Sequence, residues 1–152
     1  MAEYTYNPVQ VVNPNQPVIL LDSIPCNKGY VLHRNESGIL TLRGIVNSPY
    51  NCFARYQVTF NGNIAVPEGG TPGPIAISLT LGGESILTSR AIVTPAAADE
   101  YFNVTSTAII TVPRGCCFNI SVENVSESAT PATTPAPQIN VQNANLVVSR
   151  IA

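Results

Sequence analysis

A strict alternation of apolar and polar side chains constrains this chain more than any other feature of its sequence. Side chains on a β-strand point to opposite faces in turn, so a period of two predicts a strand with one buried face. In the segment 52–66 one face carries Ala54, Tyr56, Val58, Phe60, Ile64 and Val66, and the other carries Arg55, Gln57, Thr59, Asn61 and Asn63. The same pattern recurs at 75–81, 102–112 and 116–122. Each of these segments is predicted to be a half-buried strand.

Turn-forming residues separate the segments. The 13 prolines and ten glycines stand between short runs rich in Val, Ile and Thr, and no window shows a helical period. Further strands are predicted at 17–21, 29–33, 39–46, 86–92 and 139–151. Eight or so half-buried strands require two sheets packed face to face or a closed barrel. The prediction is therefore an all-β chain, folded as a two-sheet antiparallel jelly-roll sandwich.

The 152 residues suit one domain, and two segments stand outside the strand pattern. Residues 1–16 contain two prolines beside Tyr4 and Tyr6, and are predicted to be an extended arm that attaches the jelly-roll domain, 17–152, to a larger assembly. The alternative is that the arm adds an edge strand to its own sandwich. Residues 126–138 are rich in Pro and Thr and are predicted to be an exposed loop.

Charged residues make up only 11% of the chain, roughly half the usual share. Two interpretations stay open: much of the surface meets other protein, or the strands have outer faces rich in Thr and Asn. The net charge is −2 and the arginines are dispersed, so no nucleic-acid partner is expected. The apolar runs are too short for a membrane span. The first residues lack the features of a secretory signal, so synthesis in a cytoplasm without a signal peptide is expected.

The order of the predicted segments is itself informative. Strands around 38–46 lead to 54–60 (ARYQVTF), then to 75–83 (IAISLTLGG), the turn at 112–116 (VPRGC) and the closing segment 145–151 (NLVVSRI). This series resembles the tumour-necrosis-factor and complement-head-like jelly-roll superfamily, and most of all its bacterial and phage branch. That branch includes the heads of collagen-like spore-surface glycoproteins and phage head-fibre or decoration proteins. The chain departs from the spore-surface members because it has no collagen-like stalk.

The resemblance implies a tumour-necrosis-factor-like fold and a homotrimer, since members of the superfamily usually assemble around a threefold axis. It favours a structural protein without enzymatic activity, a phage head-fibre or capsid-decoration subunit on the surface of a virion or extracellular particle. The alternative is a bacterial or spore-surface adhesin head that binds a host-surface glycan or protein. A third option, a carbohydrate-active enzyme, requires a cleft with two suitably spaced carboxylates.

No catalytic residue, cofactor or metal site is predicted. His33 is the only histidine and no Gly-x-Ser-x-Gly elbow accompanies it, so we expect a structural or surface strand residue. Asp99 and Glu100 follow three alanines and are predicted to lie in a solvated turn. The four cysteines lack the spacing of a structural zinc site, and their disulfide state stays open.

Strand alternation also predicts which side chains are available for contacts. Cys116 shares the face of Phe118 and is expected to be buried and unreactive, whereas Cys117 points the other way. Three side chains are predicted to contact a partner: Tyr4, Tyr6 and Cys117. Three others are predicted to meet their symmetry mates in the trimer: Tyr56, Val58 and Phe60.

Overall fold

A computed structural model of the chain describes residues 1–26, 28–128 and 135–152. The strands found there are β1 (Ala2–Tyr6), β2 (Gln10–Val12), β3 (Leu21–Ile24), β4 (Val31–His33), β5 (Leu40–Arg43), β6 (Phe53–Ala65), β7 (Ile75–Leu81), β8 (Glu84–Ser85), β9 (Ala91–Val93), β10 (Phe102–Pro113), β11 (Cys117–Asn124) and β12 (Ile139–Arg150). One short 3-10 turn, Leu87–Ser89, lies between β8 and β9. None of the described residues belongs to a helix long and apolar enough to cross a membrane.

The strands form two antiparallel sheets. Sheet A has the order β10-β6-β12-β1-β3, with β2 paired to the first residues of β12. Sheet B has the order β4-β5-β11-β7-β8, with β9 paired to β7. Most neighbours within a sheet are distant in sequence, so the chain passes repeatedly from one sheet to the other. The predicted two-sheet antiparallel architecture is confirmed.

The hydrophobic core lies between the two sheets, where the alternating apolar side chains of the sequence converge. In sheet A the whole predicted face of β6, from Ala54 to Ile64, is buried. From sheet B, the core receives the side chains of Leu40 and Leu42 of β5 and of Ile120 of β11. Each large side chain removed from water in this way stabilises the fold by about 1.5–3 kcal/mol.

The predicted N-terminal arm is wrong, because residues 1–16 begin with a strand inside sheet A. Tyr4 of β1 lies opposite Leu146 of β12 on one side and Asp22 of β3 on the other. Ala2 and Tyr4 are buried in the core. The alternation in β1 is only five residues long and a proline follows it closely, so the pattern was too short to outweigh the proline-rich context. The domain therefore includes its first strand.

Three other segments differ from expectation in detail. The strand predicted at 86–92 is interrupted by the 3-10 turn, whose Ser89 Oγ accepts a hydrogen bond from the Leu79 N–H (3.1 Å). The strand predicted at 17–21 starts only at Leu21. Within the predicted loop 126–138, residues 129–134 lie outside the described part of the chain, and Ser126 is buried against β7.

Candidate functional site

An acid, a histidine and a serine meet at the edge where β3 and β4 approach each other. The Nδ1 atom of His33 lies 2.5 Å from Oδ1 of Asp22, and its Nε2 atom lies 2.8 Å from the backbone carbonyl oxygen of Ser37. Both ring nitrogens thus have a partner within the fold, and the His33 side chain is only 1% exposed. The group is a structural link, as expected for His33.

Tyr4, one of the predicted partner contacts, belongs to the same cluster. Its ring centroid lies 4.7 Å from that of His33, and the side chain is buried in the core. Burial raises the pKa of the Tyr4 phenol to about 12, with further contributions from the negative charges of Asp22 and Cys26. Tyr6 is half-buried in the same strand. Tyr4 is therefore a core residue, and its predicted role as a partner contact is wrong.

The acidic pair 99–100 organises its own turn. One carboxylate oxygen of Glu100 accepts hydrogen bonds from the backbone N–H groups of Ala96 (3.0 Å) and Ala97 (3.2 Å). Asp99 has a φ of +58° and donates its backbone N–H to the Val66 carbonyl (2.9 Å). The two carboxylates do not share a cleft, and the solvated turn expected here is what the structure has.

A cavity of about 490 Å³ lies between the loop 66–75 and residues 135–138. Its described lining is mostly proline and glycine, and its charged side chains are Glu68 and Glu127. Its described lining residues include no histidine, no cysteine and no aromatic ring that could stack on a sugar. The described walls thus form a concave surface with few side chains that could bind a ligand or catalyse a reaction.

Three of the four cysteines are exposed: Cys52, Cys116 and Cys117. Cys117 is accessible as predicted, but the prediction that Cys116 is buried is wrong. The register is not at fault, because Ile120 and Val122 of β11 do point into the core. Cys116 instead belongs to the turn before β11, where its N–H donates to the Pro113 carbonyl (3.0 Å), and it lies beyond the end of the sandwich. Across the described ranges, no three His, Cys, Asp or Glu side chains are grouped so as to hold a metal ion.

The predicted trimer contacts are also wrong. Tyr56, Val58 and Phe60 are each 0% exposed, because they face sheet B of the same chain. The Tyr56 hydroxyl donates to the Arg43 carbonyl (2.5 Å) and so joins the two sheets. The solvent-facing residues of β6 are on the opposite face of the strand, the polar face that the alternation predicts.

The outer face of sheet A is a broad surface with few charges. It is formed by alternate side chains of four neighbouring strands. β10 contributes Asn103, Thr105, Thr107, Ile109 and Thr111, and β6 contributes Arg55, Gln57, Thr59, Asn61 and Asn63. β12 contributes Asn145, Val147 and Ser149, and β1 contributes Glu3 and Thr5. Arg55 and Glu3 are the only charged side chains among them. Ile109 is 64% exposed in the middle of the outermost strand.

Hydrogen bonds between neighbouring strands hold this face in place. The hydroxyls of Thr59 and Thr107 lie 3.1 Å apart, and the Thr105 hydroxyl donates to Asn61 Oδ1 (3.3 Å). The Asn145 amide donates to Oε1 of Glu3 (2.5 Å), which ties one of the two charges into the surface. Side chains fixed in this way lose less entropy when another protein covers them.

The edge of sheet A next to this face is unpaired. Among the described residues β10 has a single strand neighbour, β6. Just beyond β10, the Arg114 N–H points toward the β6 side and donates to the Cys52 carbonyl (2.9 Å). In β6, the Arg55 N–H points away from β10 and donates to the Ala152 carbonyl (3.1 Å). Antiparallel ladders alternate, so odd-numbered residues of β10, including Ile109, direct their N–H and C=O groups to the free edge. The strand carries no charged residue that would discourage pairing there.

Comparison with known proteins identifies structures with a similar fold. No protein-family model matches the chain, and no curated protein matches it. Among solved structures, the globular domain of zebrafish complement 1qA protein superposes with a TM-score of 0.51 at 13% identity, over 97% of this chain and 96% of that one. The fold is a complement-1q-like jelly roll. This confirms the fold that the sequence resemblance implied.

Two further structures are less similar to this jelly roll. The C-terminal domain of EclA, a sugar-binding protein, has a TM-score of 0.43 at 16% identity and covers 95% of this chain and 79% of that one. The xylan-binding CBM22-1 domain of Xyn10C from Paenibacillus barcinonensis has a TM-score of 0.36 at 10% identity, with coverages of 99% and 88%.

Proposed function

We propose that this jelly roll is a structural subunit without enzymatic activity that assembles as a homotrimer on the surface of a virion or similar particle. A phage head-fibre or capsid-decoration role matches that description. The observation that supports the proposal is the outer face of sheet A, together with the unpaired edge of β10 beside it.

The composition of this face suits contact between identical copies. A charge buried in an interface loses its water and is costly unless it meets an opposite charge. The interior strands β6 and β12 present mainly Thr, Asn, Gln and Ser on this face, and the edge strand β10 adds the exposed Ile109. Charges are depleted at the centre of protein interfaces in general. The threefold arrangement is the one that the sequence resemblance implies. The low charge content of the chain is then explained by a surface that meets other protein.

The test is a charge placed on the edge strand of this face, at the exposed Ile109. Ile109→Lys should dissociate the trimer, since three buried ammonium groups would lack partners, and sedimentation velocity should then show a single 16.1 kDa chain. Leu32→Lys is the matched control, because Leu32 is 49% exposed on β4 at the far edge of sheet B. Loss of assembly in both variants, or in neither, would contradict the proposal.

The location on a particle needs a separate test. Gold-labelled antibody against the chain should decorate intact particles released from the source cells at regular positions. Soluble chain without particle-bound label would count against a structural role on a virion and favour the adhesin alternative. That alternative predicts retention on a glycan or host-protein array, whereas the proposed structural subunit should bind none of them.

A further inference from the structure

The three exposed cysteines lie at one end of the sandwich, although they are far apart in sequence. Cys52 precedes β6, Cys116 precedes β11, and Cys117 is the first residue of β11. The Arg114 N–H donates to the Cys52 carbonyl (2.9 Å), and the Gly44 N–H donates to the Cys116 carbonyl (2.8 Å). The start of β6, the end of β10, the end of β5 and the start of β11 therefore meet here. We call this surface the thiol end.

Packing does not explain why cysteine occupies these positions. Free cysteine is among the most buried residue types in folded proteins, and it behaves there as a small apolar side chain. None of the three thiols contributes to the core cluster. Cys26 is different, because it is half-buried and packs against the core. Although burial opposes its ionisation, backbone N–H groups of Lys28, Val31 and Tyr30 lower the pKa of its thiol.

The backbone holds the thiol end in one conformation. The turn after β10 is fixed by a hydrogen bond from the Gly115 N–H to the Gly44 carbonyl (3.0 Å) and by one from Arg114 Nη1 to the Pro49 carbonyl (2.7 Å). Gly44 lies so close to the Pro113 carbonyl that a Cβ atom would overlap it. The thiols are therefore presented from a rigid surface and need little reorganisation to react.

Three arginines lie on the strands and turns that carry the thiols or lie next to them. Arg43 lies directly opposite Cys117 in the β5–β11 pair, and Arg114 lies beside Cys52. The guanidinium of Arg55, on β6, stacks on Phe53 with 4.4 Å between its central carbon and the ring centroid. Such a surface attracts an anionic small disulfide, such as a glutathione-type tripeptide disulfide.

From these observations we propose that the thiol end is a disulfide-exchange site that links the chain covalently to a second copy. A thiolate of one copy attacks the small disulfide, forms a mixed disulfide and releases one small thiol. A thiolate of the second copy then attacks the mixed disulfide, forms the bond between chains and releases the other small thiol. The two protein thiols are oxidised, the small disulfide is reduced to two thiols, and those thiols take up the two protons. Because there are three exposed thiols, a disulfide between two of them within one chain leaves the third thiol free to bond to another chain.

The experiment treats the reduced, purified full chain with oxidised glutathione and follows it by non-reducing electrophoresis and peptide mass mapping. Wild type and Cys26→Ser should form covalent species of two or more chains, with the links mapped to the thiol end. A variant with Cys52→Ser, Cys116→Ser and Cys117→Ser together should lose at least nine-tenths of them. Recovery of single chains only, whether free, glutathionylated or internally bridged, would overturn the proposal, as would links through Cys26.

A control separates a specific link from random collision between exposed thiols. Thr71→Cys in the triple-serine background places one thiol on the exposed loop after β6, at the other end of that strand. It should link far more slowly than wild type at equal concentration, and equal rates would contradict the proposal. Sedimentation under reducing conditions tests the homotrimer independently, so failure of one proposal is distinguishable from failure of the other.

Discussion

The buried polar cluster at β1, β3 and β4 shows how single residues set the behaviour of this fold. His33 bonds to Asp22 and to the Ser37 carbonyl, and Tyr4 covers the ring. A buried histidine whose nitrogens both have partners fixes the positions of the strands that supply them. The cluster therefore stabilises the part of sheet A that was expected to be a separate arm.

Tyr4 makes stability dependent on alkaline pH. Its pKa of about 12 in the folded chain exceeds the ordinary value of about 10, so folding favours the protonated phenol. The contribution to stability is complete below pH ~10 and is lost as the pH rises from ~10 to ~12, by at most about 1.4 kcal/mol per pH unit. Urea unfolding across this range should show a smaller loss for Tyr4→Phe than for wild type. Equal losses would mean that Tyr4 does not carry the effect.

Two glycines provide a matched pair of substitutions. Gly44→Ala should destabilise the fold by about 1–3 kcal/mol, because its Cβ would overlap the Pro113 carbonyl, which is backbone and cannot move aside. Gly73→Ala should change the unfolding free energy by less than about 0.5 kcal/mol, since nothing lies within 4 Å of the added Cβ. Chemical denaturation of both variants measures the difference. A Gly44→Ala variant as stable as Gly73→Ala would contradict the close approach described at the thiol end.

The elements differ in how well their sequence predicts them. In β6 the alternation holds for twelve of the thirteen residues, and its faces follow directly from the sequence. In β1 it lasts five residues, and only the pairing with β12 and β3 reveals that the segment is central. The exposure of Cys116 likewise depends on where the turn ends the sheet, which alternation alone does not specify. Long strands were predictable for this reason, whereas short strands and strand ends depend on contacts with distant parts of the chain.

The free edge of β10 predicts opposite effects of proline at two adjacent positions. The Ile109 N–H faces the free edge, so Ile109→Pro removes no hydrogen bond of the sheet and should leave a folded chain that assembles poorly. The Ala108 N–H faces β6, so Ala108→Pro removes a hydrogen bond inside the sheet, leaves its acceptor unpaired and should destabilise the chain by about 1–3 kcal/mol. Circular dichroism melts combined with sedimentation distinguish the two results. A stable, fully assembled Ile109→Pro variant would show that this edge takes no part in assembly.

For the whole molecule, the outer face of sheet A, with its few charges, is the feature that most requires an explanation. The inner face follows from the alternation and stabilises the single chain, and the side chains predicted as trimer contacts, Tyr56, Val58 and Phe60, are buried on it. Alternation separates the two faces of a strand without saying which of them a partner covers. Assembly through the outer face accounts for the exposed Ile109, the neutral polar rows and the open edge of β10 together.

The native mass in solution tests this account most directly. Sedimentation equilibrium of the reduced wild-type chain, across a wide range of concentrations, should give a mass three times that of the 16.1 kDa chain. Reducing conditions remove any contribution from disulfides, so the mass reports noncovalent assembly alone. A mass of 16.1 kDa at every concentration would contradict the central claim that this jelly roll works by assembling with itself.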